Sequence, residues 1–123
     1  MARASLEMPF LLPEAPAEPD LVAKYFRVLS DPTRVRVLEL LDECGELSVG
    51  ELVERLGEPQ PKVSNHLACL RWCGFVERER HHPHVFYRVA DDRVLKVLGL
   101  ARALLADNAE HVASCRRVDS GGC

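Results

Sequence analysis

No apolar run in this chain approaches the ~18 residues that a membrane-spanning helix needs, and aromatic residues make up only 6% of it. The first absence argues against a membrane protein, and the second predicts an aliphatic, mainly helical core. There is no Ser-His-Asp pattern, no phosphate-binding glycine loop and no metal-hydrolase motif. Nothing therefore points to an enzyme or to an organic small-molecule substrate. The stretch "MPFLLPEAPAEPD" is broken by Pro and Glu and lacks a basic leader, so it makes a poor signal peptide. The expected location is the cytoplasm, where the five cysteines are reduced thiols rather than structural disulfides. An excess of positive charge is missing too: the net charge of −3 excludes a uniformly basic coat for nucleic acid. What remains, at 123 residues with 47% hydrophobic and 28% charged content, is one domain with a modest core.

The charge is unevenly placed. Residues 1–59 carry six basic and twelve acidic groups, whereas residues 60–88 carry five basic (Lys62, Arg71, Arg78, Arg80, Arg88) and two acidic (Glu77, Glu79). Four of the five histidines also fall in the basic zone. One positive face on an acidic body fits a DNA reader with a small footprint.

Along the chain, residues 1–19 hold four of the eight prolines and no sustained periodicity, and read as an N-terminal arm. From Asp20, Leu21, Val22, Tyr25, Val28 and Leu29 form a helical stripe. A second helix follows, capped by Ser30 or Asp31, with Pro32 in its first turn, Val35, Leu38 and Leu41 inward, and Gly45 at its end. Ser48 caps a short third helix with Leu52, Val53 and Leu56 inward and Gly57 as terminator. The segment "EPQPKVSNHLACLRWCG" predicts a fourth helix, polar at its start, with Val63, Leu67 and Leu70 on one stripe. Two short helices joined by a tight glycine turn are the helix-turn-helix pattern. "FVERER" and "VFYRVA" then alternate as strands around the turn "HHPH". From Asp91 a long helix carries Val94, Leu95, Val97, Leu98, Ala101, Leu104 and Leu105, a stripe too wide for one small core. Part of it is expected to bury against a second subunit. The fold class is mainly α with a small β-hairpin wing, a dimeric winged helix-turn-helix. It comprises an arm (1–19), a DNA-binding and dimerisation domain (20–112) and a C-terminal tail (113–123).

At ~100° per residue, Ser64, Asn65 and Ala68 point away from the core stripe of the fourth helix. Cys69 and Cys73 occupy a separate flank beside Lys62 and His66. Residues four apart on a helix lie roughly 6 Å from one another, within reach of a single large ion. Gln60, Lys62, Ser64, Asn65 and His66 form the end that reads DNA, with polar groups for base edges and Lys for phosphate. Arg78, Arg80 and His82, with His81 and His84, belong to the wing, whose tip reads as a backbone-contacting turn. Cys44 reads as a packing residue.

"LSDPTRVRVLELL", "SVGELVERLG", "QPKVSNHLACLRWCGFV" and "VFYRVAD" together resemble the ArsR/SmtB family of metal-responsive repressors. The resemblance implies a homodimer paired through its first and last helices. It also implies an apo form bound to operator double-stranded DNA and released by an effector. The family's arsenic-type site, a Cys-x-Cys at the start of the third helix, is absent, because Ser48 and Gly50 stand there. Its zinc-type site on the last helix is at best a remnant: Asp91 survives, but Arg93, Leu104 and Asp107 replace the other ligands. Instead, Asn65, His66, Leu67, Cys69, Leu70, Arg71, Cys73 and Gly74 are similar to the CmtR-type branch that senses cadmium and lead. That branch takes a third thiolate from beyond the last helix of the partner subunit, and Cys115 falls within one residue of the position. Cys123, after the tether "DSGG", and His111, a turn before Cys115, are further candidates.

Thiolates select soft ions. Three sulfurs therefore favour Cd(II) or Pb(II), with As(III) and Zn(II) also to be tested. Two rival readings use the same scaffold. One is a thiol-redox or persulfide switch, and the other is an interaction module that senses nothing.

Overall fold

The computed structural model describes residues 17–116. Five helices and a small sheet follow one another as α1 (Glu18–Val28), α2 (Pro32–Cys44), β1 (Leu47–Ser48), α3 (Val49–Leu56), α4 (Gln60–Trp72), β2 (Val76–His81), β3 (His84–Val89) and α5 (Asp92–Ser114). The sheet is antiparallel with order β1-β3-β2. The two-residue strand β1 went unforeseen. It pairs Leu47 with Tyr87 and Ser48 with Phe86, and two residues are too few to show a period.

Helix ends marked by a cap or a terminator fall where expected, because those signals are local. Between the alternatives Ser30 and Asp31, the cap is Asp31, whose carboxylate accepts the N–H of Thr33 at 2.8 Å. Ser48 caps α3 in a reciprocal box, its hydroxyl accepting from Glu51 N–H while the Glu51 carboxylate accepts from Ser48 N–H. α1 begins at Glu18 rather than Asp20, because Pro19 suits a first turn and needs no N–H partner. Most of the arm and the end of the tail lie outside the described residues.

The core gathers Val37, Leu38 and Leu41 of α2, Leu52 of α3, Val63, Leu67 and Leu70 of α4, and Phe75 and Val76. Val37 takes the inward place expected for Val35. Val35 is half-buried and lines an apolar hollow of about 350 Å³ with Phe26, Leu29, Leu98, Ala101 and Leu105. Of the α1 stripe only Val28 is buried; of the α5 stripe, only Val94 and Leu98. Leu21, Val22, Tyr25 and Phe26 on α1, and Leu100, Leu104, Leu105 and Val112 on α5, remain exposed in the single chain. The unusually wide stripes are thus surplus to this core.

Candidate nucleic-acid interface and thiol site

α4 positions most of the predicted residues. Its inward stripe, Val63, Leu67 and Leu70, is fully buried, which fixes the rotation of the helix about its own axis. Gln60, Lys62, Ser64 and Asn65 are consequently exposed. Lys62 Nζ pairs with Glu58 Oε1 at 3.0 Å, an exposed contact weak enough to be traded for a phosphate.

The C-terminal end of α4 is locked. Gly74 has φ +84°. Its N–H donates to the Arg71 carbonyl at 3.1 Å, and the Phe75 N–H donates to the Leu70 carbonyl at 2.8 Å. This is a Schellman arrangement, with Leu70 and Phe75 both buried beneath it. Cys73 is the residue at the helix end, and its N–H still donates to the Cys69 carbonyl at 3.1 Å. The four-residue helical spacing of the two cysteines is therefore preserved.

Cys69 and Cys73 are half-buried and pack against the margin of the core, closer to it than their angular position implied. They stand one helical turn apart, and each thiol feels the other's charge. Burial pushes the Cys73 thiol above its ordinary range, as does the neighbouring Cys69; Arg34 and Lys24 pull the other way. Two half-buried cysteines one helical turn apart, partly open to solvent, fit a thiophilic ion. Among the described residues no group of three or more His, Cys, Asp or Glu is placed to hold a metal. The pair would need a ligand from outside this set. Cys115 caps the end of α5 and is half-buried, His111 is exposed in the last turn, and Cys123 lies outside the described residues.

Two expectations need correction. His66 does not face outward with Ser64 and Asn65: its side chain is 12% exposed and lies beside Asp31 of the α2 cap. Its Nδ1 accepts the Nε–H of Arg34 at 3.1 Å. Cys44 is exposed and is not a packing residue, because α2 has passed the core when it reaches Gly45. At the zinc-type remnant, Asp91 is not a free carboxylate. Arg93 holds its carboxylate at 2.7–3.2 Å, and the same carboxylate caps α5 through the Arg93 N–H. The Arg93 guanidinium and N–H hold Asp91 down at about 2. Likewise Ser48, at the arsenic-type position, is committed to capping α3.

On the wing, register places Arg78 opposite Tyr87 and Arg80 opposite Val85, while Glu77 and Glu79 share the other face with Arg88. Arg88 is taken by these neighbours, with Glu77 at 2.8 Å, Glu79 at 3.0 Å and Glu46 at 3.7 Å. Arg78, Arg80 and His82 are exposed, and the two arginines form no ion pair among the described residues. They are thus the guanidinium groups the wing can offer to phosphate. Two residues escaped the sequence reading. Arg34 is tied to a partner 32 positions away, which no local pattern reveals. Trp72, beside Cys73, is 88% exposed.

Residues 31–78 match the arsR family of bacterial regulatory proteins. Over 104 residues the chain is 43% identical to the "Probable mercury resistance operon repressor" of Streptomyces lividans, across 85% of this chain and 82% of the relative. The chain belongs to the arsR family. It is also 39% identical over 102 residues to the HTH-type transcriptional regulator CmtR of Mycobacterium tuberculosis, spanning 81% of this chain and 85% of that one. A homodimeric winged helix-turn-helix DNA-binding domain from Mycobacterium bovis superposes with a TM-score of 0.67 at 28% identity, over 76% of this chain and 85% of that structure. As an arsR-family winged helix-turn-helix protein this chain is a DNA-binding transcription regulator, not an enzyme. No helix among its described residues is long and apolar enough to cross a membrane.

Proposed function

We propose that this protein is a cytoplasmic repressor that holds operator DNA as a metal-free homodimer and lets go when thiolates coordinate a soft metal ion. The observation that carries the reading is the placement of Cys69 and Cys73. They sit one helical turn apart, half-buried on one flank of α4, while Ser64 and Asn65 are exposed elsewhere on the same helix. Gln60, Lys62, Ser64 and Asn65 would approach base edges and phosphate, with Arg78, Arg80 and His82 of the wing on the backbone. The exposed apolar faces of α1 and α5 support pairing of two copies. Cys115 of the partner subunit would complete the metal site, with His111 and Cys123 as additional donors.

A soft ion at these sulfurs supplies a cross-link that neither subunit has alone. Its protein ligands must lose their protons to bind it. Cd(II) and Pb(II) fit a set of three thiolates, and As(III) and Zn(II) are the next ions to test. The relative named for mercury resistance adds Hg(II), another thiophilic ion, to the same class.

The test is a titration of the protein–operator complex with each ion, followed by fluorescence anisotropy. Release by one or more thiophilic ions is expected. Operator binding by wild-type protein that ignores all of them would overturn the reading.

A further inference from the structure

Arg34 belongs to α2, yet its guanidinium holds two other helices. Nη1–H donates to the Val28 carbonyl at the end of α1, at 3.2 Å, and Nε–H donates to His66 Nδ1 in the middle of α4, at 3.1 Å. The other imidazole nitrogen faces Asp31 Oδ1 at 3.9 Å, and that oxygen already caps α2. One node therefore ties α1, α2 and the reading helix. Among the described residues, Arg34–His66 is the side-chain hydrogen bond that joins α2 to α4 directly. His66 cannot turn towards DNA without leaving a part-buried guanidinium N–H unpaired.

His66, Cys69 and Cys73 succeed one another at steps of three and four residues, so they share one flank of α4. A ligand that pulls on the thiols pulls on the flank that Arg34 anchors. At the far side of that anchor is α1, whose Leu21, Val22 and Phe26 are exposed.

We propose that the Arg34–His66 bond couples the thiol site to the arrangement of the two subunits. It makes α4 move together with α2 and α1, so that coordination at Cys69 and Cys73 alters the spacing of the two reading helices. Without the bond, the strain stays local to the last turn of α4. Arg34 touches neither metal nor DNA in this scheme; it is a positioning residue. The inference rests on the metal-release reading above.

The test uses full-length Arg34→Gln, together with His66→Asn and His66→Leu. Asn keeps an acceptor oxygen near the position of Nδ1, and Leu keeps none. Operator affinity is measured with and without Cd(II), and Cd(II) affinity with and without operator, because coupling is reciprocal. Sulfur-to-cadmium charge-transfer absorbance reports ligation separately. In the wild type, Cd(II) should weaken operator binding by ~5- to 150-fold, the usual span of allosteric coupling. Arg34→Gln and His66→Leu should keep the absorbance and stoichiometry but show a change of less than about threefold, with His66→Asn retaining most of the wild-type response.

An Arg34→Gln protein that responds like wild type overturns the inference alone, as does one that loses the absorbance together with the response. Should Arg34→Gln fail to fold, equal responses from the two His66 variants overturn it. A wild type that ligates Cd(II) and the other thiophilic ions yet keeps its operator affinity with every one of them overturns the metal-release reading, and the inference falls with it.

Discussion

The Cys73 thiol holds its proton beyond the ordinary range of a cysteine because it is partly buried and has Cys69 beside it. A raised thiol favours the neutral form in the folded chain. Its stabilising contribution is therefore present below the ordinary value of 9.0 and lost as pH rises through the folded-state value. Thermal melts of reduced, metal-free protein between neutral pH and the alkaline range should show the midpoint falling, and Cys73→Ser should flatten that fall. Asp91 has the opposite sign. Arg93 lowers it from 3.8 to about 2, so its contribution is present above 3.8 and lost as pH falls through 2. Asp91→Asn should melt below wild type at neutral pH, with the gap closing as pH drops from 4 towards 2. The metal reading makes its own demand on these side chains. Cys69→Ser or Cys73→Ser should still bind operator, measured by anisotropy, and should no longer release it when metal is added.

Elements were legible in the sequence wherever their causes were local. Caps at Asp31 and Ser48, the Gly45 and Gly57 terminators and the stripe of Val63, Leu67 and Leu70 all depend on neighbours within four or five residues. The i, i+4 spacing of Cys69 and Cys73 was legible for the same reason. What could not be read came from distant pairing: β1 finds its partner some 40 positions on, and His66 turns inward because Arg34 stands 32 positions earlier. By composition alone His66 looked as suitable for DNA as Asn65 beside it. The locked end of α4 gives a further test. Gly74→Ala places a Cβ at φ +84° and should cost about 1–2 kcal/mol in urea unfolding. The same change should weaken metal affinity, since it disturbs Cys73. On the wing, Arg78→Ala and Arg80→Ala should weaken operator binding on all sequences alike. Each should lower the salt slope by about 1 if it removes one phosphate contact.

As a whole molecule, the single chain has two helices whose apolar faces outrun the core they cover. Phe26 is 58% and Leu104 69% exposed, far more than a stable monomer needs to show to water. Replacing both with Glu should leave the buried core of α2, α3 and α4 untouched. Sedimentation should then show a monomer, and operator affinity should fall because one reading helix replaces two.

Trp72, the chain's single tryptophan, stands 88% exposed immediately before Cys73. That makes the protein its own optical gauge. A water-facing indole emits at long wavelength, and a heavy ion lodged one residue away drains its excited state. An incoming tail segment would instead shield the ring and move its emission to the blue. Dimming and blue shift can thus be timed separately in stopped-flow traces of unlabelled protein. Dimming should vanish in Cys73→Ser, and the order of the two signals would show whether ion capture or subunit closure comes first.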